Sequence, residues 1–308
     1  MLRAILLGIV QGITEFLPIS SSAHLSIVPR LLGHATPTLA FEVLLHFGTL
    51  AAVTAYFARD LWAFVLCLVA PARLGPEEAR TRRRLLALLA LASVPAAAVG
   101  FLLQDWADEQ TARPLRASVW LLLTTAIMIA AELYDRARSR RVVPVVPVTS
   151  DGAEGRVAGT RAERLARGAG AAPPRAYGEE ELKRLPASKA AGIGLAQALA
   201  LIPGTSRSGV TISAGLFQGV SRATAARFSF LLSIPAILGA GILKLDDLSG
   251  ATETPAELLA GTIAAAVSGF LAVSFLIRLL RTRTLWPFIW YRLVAGGLFV
   301  LLLVTVRS

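Results

Sequence analysis

The stretch "QGITEFLPISSS", residues 11–22, interrupts an apolar segment with glutamine, glutamate, proline and serines. A similar stretch, "QALALIPGTSRS", occupies residues 197–208. Both begin with glutamine, continue through an apolar turn and a proline, and end rich in serine. An apolar segment follows each of them about twenty residues later, "FEVLLHFGTLAAV" (41–53) in one case and "FSFLLSIPAILGA" (228–240) in the other. This recurrence predicts an internal repeat.

The composition indicates an integral membrane protein. The chain has 308 residues, of which 55% are hydrophobic and 17% charged, and a mean hydropathy of +0.63, which is high for a soluble domain. The net charge of +11 comes from arginines that lie mainly between apolar runs, so we predict a membrane partner and no nucleic acid. The single cysteine, Cys67, excludes an intrachain disulfide and a cysteine-based metal site.

The apolar runs predict six transmembrane helices, because each run is close to the roughly 20 residues that a helix needs to cross a bilayer. The first apolar segment, 2–10, carries Arg3 and lacks a small-residue cleavage site, so we expect it to stay in the mature protein. The six predicted spans are approximately 41–58, 84–104, 115–134, 221–244, 254–280 and 286–306.

The fold class that follows is all-α, a polytopic membrane protein with six spans and two re-entrant helical hairpins in an inverted repeat. The hairpins are predicted at 1–33 and 188–219, where proline, serine and glycine break apolar sequence. Each half then holds one hairpin and three spans, and an odd number of spans inverts the second half. The predicted units are the first repeat at 1–134, a loop at 135–187 and the second repeat at 188–308, with the two hairpins meeting near the midplane.

The distribution of charge predicts the orientation. Arginines concentrate in 59–83, in 135–187 and at Arg281 and Arg283, and this side should be cytoplasmic. The loop 136–186 would then be cytoplasmic and mobile, without a catalytic domain, while both termini and the mouth of the first hairpin face outward. The opposite side holds the acidic residues Asp105, Asp108, Glu109, Asp246, Asp247 and Glu253.

Ionisable groups within apolar sequence are the candidates for chemistry, because such groups are costly in a membrane and usually functional. Gln11 and Glu15 are four residues apart and share a helix face, where a carboxylate can bind a divalent cation or act as a base. In the second hairpin, Pro203 and Gly204 predict a sharp turn before a half-helix, and Arg207 adds a phosphate-binding fork to the helix N-terminus. The polar residues of the two hairpins are Gln11, Glu15, Ser20, Ser21, Ser22 and His24, and Thr205, Ser206, Arg207, Ser208 and Thr211.

Most of these residues also have a structural interpretation. Serines before a helix are commonly N-caps, His24 alone suits a hydrogen-bonded structural histidine, and Glu15 paired with Arg207 would neutralise buried charge. His46 suits a polar contact between helices, and Arg292 suits snorkelling or an internal pair. Trp286, Trp290 and Tyr291 are typical of an interfacial belt. The joint occurrence of base, hydroxyl, imidazole and arginine on two converging elements favours a catalytic site.

The motifs "QGITEFLPISSSAH" (11–24) and "PGTSRSGVT" (203–211) resemble the two signature motifs of the undecaprenyl-diphosphate phosphatase family, bacterial membrane enzymes associated with bacitracin resistance. The resemblance covers nearly the whole chain. It implies hydrolysis of undecaprenyl diphosphate to the monophosphate that carries cell-wall precursors, with help from a divalent cation, Mg²⁺ or Ca²⁺. It also implies a multi-pass protein of the bacterial inner membrane that binds a polyprenyl diphosphate lipid. On the orientation predicted from the arginines, the site opens to the outer, periplasmic side.

The same resemblance implies roles for individual residues. Glu15 and Gln11 would serve metal binding or water activation, Ser21 and His24 attack or proton transfer, and Arg207 would hold the diphosphate. Gln11 stands where other members carry glutamate, which removes one anionic ligand; whether Ser21 or a water attacks stays open. The resemblance also implies that Ser206 and Thr211 hold the diphosphate, and the other predicted substrate-binding residues are Ser20, Ser22, Gly204, Thr205 and Ser208.

A secondary transporter or flippase for an anionic or lipid substrate is the alternative, because inverted repeats with broken helices at the midplane are typical of transporters. A carrier needs an anion site but no nucleophile, so the hydroxyls, base and imidazole beside an arginine favour the enzyme. Hydrolysis combined with lipid movement is a further hypothesis. A homodimer is possible, and the sequence does not determine the oligomeric state.

Overall fold

The computed structural model describes residues 1–103, 106, 109–110, 113–142 and 178–305. Within these ranges the chain forms twelve α-helices and three short 3₁₀ turns, which confirms the prediction of an all-α fold. The turns are Pro71–Arg73, Leu199–Leu201 and Asp246–Gly250. The helices are α1 (Leu2–Phe16), α2 (Ser21–Leu31), α3 (Leu39–Tyr56), α4 (Ala58–Val69), α5 (Pro76–Leu102), α6 (Pro114–Val142), α7 (Glu179–Lys183), α8 (Ala187–Ala198), α9 (Arg207–Phe217), α10 (Arg222–Leu243), α11 (Pro255–Leu279) and α12 (Trp286–Thr305).

Six of these helices are long and apolar enough to cross a membrane, and they coincide with the six predicted spans. They are α3, α5, α6, α10, α11 and α12. Helix α5 begins at Pro76, earlier than predicted, because it continues through the arginine-rich segment 80–84. Helix α4 was not predicted; it buries Phe64 and Cys67 and exposes apolar side chains such as Trp62 and Leu68.

The two broken regions form the helix pairs that the sequence predicts. In the first, α1 and α2 are joined through 17–20, and in the second, α8 and α9 are joined through 199–206. Helix α1 packs along α11, whereas α8 packs along α5. Each pair therefore contacts a span from the other half of the chain. Re-entry into the membrane and inversion of the second half stay predictions.

Two glycines occupy matching positions in this packing, each three residues before the glutamine that begins a repeated stretch. A Cβ at Gly8 in α1 would lie 2.2 Å from the carbonyl oxygen of Gly261 in α11. A Cβ at Gly194 in α8 would lie 2.3 Å from the carbonyl oxygen of Ala92 in α5. Small residues allow membrane helices to approach this closely. In both helix pairs, a glycine thus allows the first helix to pack closely against a span.

The predicted loop 135–187 is helical at both ends, which corrects part of that prediction. Helix α6 continues to Val142, and the short helix α7 lies at Glu179–Lys183. The first of these extensions carries the arginines of 136–141 on a helix that already has a long apolar stretch. The prediction of a mobile loop concerns mainly 143–177, which lie outside the described residues, as do Asp105 and Asp108.

A buried ion pair joins three helices on one side of the bundle. Glu132 in α6 has no solvent exposure and accepts hydrogen bonds from Nε and Nη2 of Arg222 at 3.0 and 2.6 Å. Its Oε1 also accepts the backbone N–H of Leu285 at 2.7 Å, just before α12 begins. A carboxylate with these three donors is well satisfied. Glu132 therefore ties α6, α10 and the start of α12 together.

Candidate active site

Glu15 lies at the centre of the candidate site, with its side chain only 8% exposed. Its Oε1 accepts a hydrogen bond from Nη2 of Arg207 at 2.9 Å. Its Oε2 accepts one from Oγ of Ser21 at 2.8 Å and one from Nε2 of Gln11 at 3.2 Å. Four of the residues selected from the sequence are therefore in direct contact, although Arg207 comes from the other half of the chain.

The end of α1 explains how Ser21 reaches Glu15. Pro18 disfavours helical conformation at the residue before it, and α1 ends at Phe16. The chain turns through 17–19, and Ser20 has a φ of 74°, the one positive φ of a non-glycine residue in the described part of the chain. Helix α2 then starts at Ser21. This tight reversal brings the first hydroxyl of α2 to the carboxylate in the last turn of α1.

The second hairpin presents Arg207 at the first position of α9, as the sequence predicts. Ser206 is the N-cap, and its Oγ accepts the backbone N–H of Gly209 at 3.2 Å. Before it, Gly204 has a φ of 93°, and a Cβ there would lie 2.0 Å from the carbonyl oxygen of Ala117 in α6. Only glycine fits this turn. The first N–H groups of a helix are a ready anion-binding element, and here they begin beside the guanidinium.

The turns of the two hairpins touch each other. The backbone N–H of Gly204 donates to Oγ of Ser22 at 3.0 Å. Oγ of Ser22 also lies 3.3 Å from Oγ of Ser20. Neither serine therefore behaves as a simple N-cap, and Ser20 makes no side-chain capping bond to α2. Hydroxyls and backbone N–H groups from both halves thus line one junction next to Glu15 and Arg207.

The remaining predicted residues lie around this junction, and some of them face away from it. Thr205 is buried and its Oγ1 has no hydrogen-bond partner within the described ranges. Ser208 lies 3.2 Å from Ser206, hydroxyl to hydroxyl. Thr211 is fully buried, donates to the carbonyl oxygen of Arg207 at 2.7 Å and contacts Ser229 in α10 at 2.6 Å. Its hydroxyl is turned into the bundle.

His24 makes its hydrogen bonds to groups other than Glu15 and Ser21. Its Nδ1 lies 2.7 Å from the carbonyl oxygen of Ser20, and its Nε2 lies 2.7 Å from the hydroxyl of Tyr291. Both ring nitrogens are therefore engaged. The sequence indicates that Tyr291 belongs to an interfacial belt. Its hydrogen bond to the buried His24 adds a second role, which the spacing of aromatic residues does not reveal.

His46 is a second neighbour that the sequence interpretation left out of the site. Its Nε2 lies 3.7 Å from Oε2 of Glu15, and its Nδ1 lies 2.8 Å from the carbonyl oxygen of Glu42. The contact between helices that the sequence suggests is thus a contact with the central carboxylate. The signal for it was present, because His46 is an ionisable residue inside an apolar span.

The donor set fits a divalent cation that takes its other ligands from phosphate. Within the described part of the chain, no three His, Cys, Asp or Glu residues are grouped in a way that would hold a metal ion. However, Oε1 of Gln11 is buried without a hydrogen-bond partner, and the amide is bonded to Glu15. Mg²⁺ is commonly held by one or two protein oxygens together with substrate phosphates. Gln11 and Glu15 could hold such an ion.

Comparison with known proteins identifies the family. The family model "Bacitracin resistance protein BacA" matches residues 4–298. The chain belongs to the BacA family. The match includes both hairpins and all six candidate spans except the first residues of α1 and the last residues of α12.

Individual relatives agree with this assignment over almost their full length. The chain is 40% identical to an undecaprenyl-diphosphatase of Alcanivorax borkumensis over 298 residues, covering 96% of each chain. It is 40% identical to one of Geobacter sulfurreducens, again covering 96% of each chain. It is 38% identical to one of Chlorobaculum tepidum, covering 97% of this chain and 96% of the relative.

Proposed function

We propose that this chain is a membrane phosphatase that hydrolyses undecaprenyl diphosphate to undecaprenyl phosphate and inorganic phosphate. One contact carries the proposal: Oγ of Ser21 donates to Glu15 at 2.8 Å while Arg207 holds the other oxygen of the same carboxylate at 2.9 Å. A carrier for anions needs the arginine but not a hydroxyl bonded to a base. The undecaprenyl-diphosphatases at 38–40% identity support the same activity.

The arginine provides the anion-binding part of the site. Nη2 of Arg207 is bonded to Glu15, and a guanidinium has five N–H donors in a planar fork. The remaining donors suit a diphosphate, which also meets the first N–H groups of α9 and the hydroxyls at the hairpin junction. Phosphoryl transfer depends above all on such positioning and charge neutralisation. The apolar tail stays in the lipid beside the bundle.

Glu15 is the base in this mechanism. When a diphosphate takes the fork of Arg207, the carboxylate is released to accept a proton from Ser21 or from a water in its place. The oxygen attacks the terminal phosphorus in line, the P–O bond to the bridging oxygen breaks, and undecaprenyl phosphate leaves. If Ser21 is the nucleophile, a water then hydrolyses the phosphoserine. The geometry puts Ser21 next to the base and leaves both routes open.

The proposed mechanism includes a divalent cation that assists substrate binding. Oε1 of Gln11 and a carboxylate oxygen of Glu15 would hold it together with diphosphate oxygens. When bound, Mg²⁺ or Ca²⁺ neutralises negative charge on the phosphate oxygens. The chain's own residues bind the headgroup and move the proton.

The cell membrane of a bacterium is the location that the family and the six spans support. We further infer that the site opens to the outer side, because the positive-inside pattern places the arginine-rich segments 59–83 and 136–142 in the cytoplasm and the span α3 separates 59–83 from the end of the first hairpin. The acidic residues Asp246 and Glu253 belong to the outer side on this assignment. A homodimer stays a prediction.

Phosphate release from undecaprenyl diphosphate by the purified protein in detergent tests the function. It is measured with Mg²⁺, with Ca²⁺ and with a chelator, for the wild type, Arg207→Ala, Glu15→Ala and the control Arg30→Ala. Arg30 is an exposed arginine in the last turn of α2. We expect release by the wild type and the control, and a loss of about a thousandfold or more in the two site variants, as for removal of groups that act in the transition state.

Two results would contradict the proposal. Failure of the folded wild type to release phosphate with either cation would exclude the phosphatase and favour the transporter. Release that survives both site substitutions would keep the activity but move the site away from Glu15 and Arg207.

A further inference from the structure

Tyr291 holds the imidazole of His24 from the last helix of the bundle. Its hydroxyl lies 2.7 Å from Nε2, and the two rings are stacked with centroids 5.7 Å apart and planes inclined by 15°. Phe299, also in α12, packs edge-on against the same imidazole with centroids 5.5 Å apart. His24 is 4% exposed. Helix α12 therefore fixes both the position and the orientation of this ring.

The direction of the hydrogen bonds follows from the chemistry of the partners. Nδ1 of His24 faces the carbonyl oxygen of Ser20, which can only accept, so Nδ1 carries a proton. In the neutral ring Nε2 then has a lone pair, and the Tyr291 hydroxyl donates to it. A chain of two hydrogen bonds thus runs from Tyr291 through His24 to the backbone of Ser20.

Ser20 is a residue whose conformation needs support. Its φ of 74° lies in a region of backbone conformation that residues other than glycine rarely adopt. The carbonyl oxygen receives the backbone N–H of His24 only at 3.4 Å, so the ring N–H at 2.7 Å is the closer donor. The next residue is Ser21, which donates to Glu15. The bond from His24 therefore fixes the peptide that aims Ser21 at the base.

The neighbouring residue of α12 supports the other end of the same turn. Arg292 is fully buried and donates from Nη1 to the carbonyl oxygen of Pro18 at 3.2 Å. It also donates from Nε to Oγ1 of Thr125 in α6 at 2.7 Å. Two consecutive residues of α12 thus hold the carbonyls at either end of the segment 18–20, and α6 anchors one of them.

We propose that Tyr291 is a positioning residue of the phosphatase site, which acts through His24 on the strained turn that presents Ser21 to Glu15. The expected effect of Tyr291 on the reaction rate rests on the proposed function, whereas its contact with His24 does not. With both ring nitrogens engaged, His24 transmits position from α12 to the turn and does not receive the proton of Ser21. Tyr291 has no contact with the reacting groups, so its effect is on the rate of the chemical step and not on substrate affinity.

The decisive variant is Tyr291→Phe, which keeps the stacked ring and removes only the hydroxyl. We expect kcat to fall roughly tenfold, the size expected for one lost hydrogen bond, with KM changed less than about twofold. In a His24→Asn background the same change should have almost no further effect, because the residue through which it acts is gone. Trp290→Phe is the matched control, since Trp290 is a 61% exposed aromatic beside Tyr291 in α12.

Nitrogen NMR of ¹⁵N-histidine-labelled protein gives a readout that needs no activity. The Nε2 signal of His24, assigned by its loss in His24→Asn, should shift in Tyr291→Phe, while His34 and His46 keep their signals. An unchanged kcat, an equal loss in the His24→Asn background, or an unshifted Nε2 signal would overturn the proposal. If the wild type releases no phosphate, the proposed function fails, and the NMR measurement still decides whether Tyr291 engages His24.

Discussion

Arg207 donates to Glu15 over 2.9 Å although 192 residues separate them in the chain. The carboxylate is supplied by the last turn of α1 and the guanidinium by the first turn of α9, so neither half of the molecule contains a complete site. The pair forms only when the two hairpins meet. Its low exposure, 8% for the Glu15 side chain and 13% for that of Arg207, makes geometry decisive, because a poorly placed partner leaves a buried charge unpaired.

The first prediction concerns the planar fork of Arg207. Arg207→Lys keeps the positive charge but replaces the fork with a compact ammonium, which cannot bond Glu15 and a phosphate in the same way. We expect a fall in kcat/KM of about a hundredfold with little loss of folded protein. Phosphate release and thermal unfolding in detergent measure the two effects, with Arg30→Lys as the control. Wild-type activity in Arg207→Lys would show that charge alone is needed.

The second prediction concerns the contact between the hairpin turns. Ser22→Ala removes the acceptor of the Gly204 N–H and leaves a partly buried donor unpaired, which costs about 1–3 kcal/mol. We expect roughly tenfold lower activity and a lower unfolding temperature. Ser26→Ala is the matched control, because Oγ of Ser26 donates only to the carbonyl oxygen of Ala23 in its own helix. Equal effects of the two substitutions would mean that the contact between the turns is unimportant.

Much of this arrangement could be predicted from local patterns in the sequence. Apolar length alone locates the six spans, because a bilayer sets the minimum length of a crossing helix. Proline and glycine locate the breaks at Pro18 and Gly204, since both residues disturb a helix in known ways. The convergence of the hairpins that carry Glu15 and Arg207 is predicted from the repeat, and the pairing of the two residues is one of the interpretations that the sequence offers. These features depend on short-range chemistry or on a repeat that is visible in the sequence.

Other contacts could not be predicted because they depend on which face of a distant helix meets the site. Tyr291 follows Trp290 in a pattern typical of an interfacial belt, and only the packing of α12 against α2 brings its hydroxyl to His24. His46 similarly reaches Glu15 only because α3 packs beside α1. The sequence does not predict helix α4, because its apolar stretch is too short for a span and the charged residues at its start are typical of a loop.

The third prediction concerns the cation and position 11. Gln11→Glu adds a second carboxylate one turn from Glu15, and two anionic oxygens hold Mg²⁺ more strongly than one. We expect the Mg²⁺ concentration for half-maximal phosphate release to fall by about tenfold, and Gln11→Ala to raise it. Titration of chelator-treated protein with Mg²⁺ measures both. If neither substitution changes the Mg²⁺ dependence, Gln11 is not a ligand.

The fourth prediction concerns the turn before Arg207. Gly204→Ala places a Cβ 2.0 Å from the carbonyl oxygen of Ala117 and also strains the backbone at a φ of 93°. Gly33→Ala imposes only the strain, because φ is 70° there and nothing lies within 4 Å of the new Cβ. The strain alone costs about 1–2 kcal/mol, so Gly204→Ala should lower the unfolding temperature clearly more than Gly33→Ala. It should also abolish phosphate release. Similar unfolding temperatures would show that α6 yields at this point.

The last prediction concerns the buried carboxylate that joins three helices away from the site. Glu132→Ala removes the acceptor of two guanidinium N–H groups and of the Leu285 N–H. Breaking a buried pair costs about 3–5 kcal/mol, and Arg222 keeps Asp135 at 2.7 Å, so we expect a loss near the lower end of that range. Glu180→Ala is the control, because its pair with Lys183 is exposed and such pairs contribute at most about 1 kcal/mol. Unfolding in increasing denaturant at fixed detergent compares the two variants. An equal loss of unfolding free energy in both variants would mean that Glu132 is solvated in the folded protein. We also expect kcat of Glu132→Ala to be unchanged at low temperature, because Glu132 stabilises the bundle and takes no part in the chemistry at Glu15.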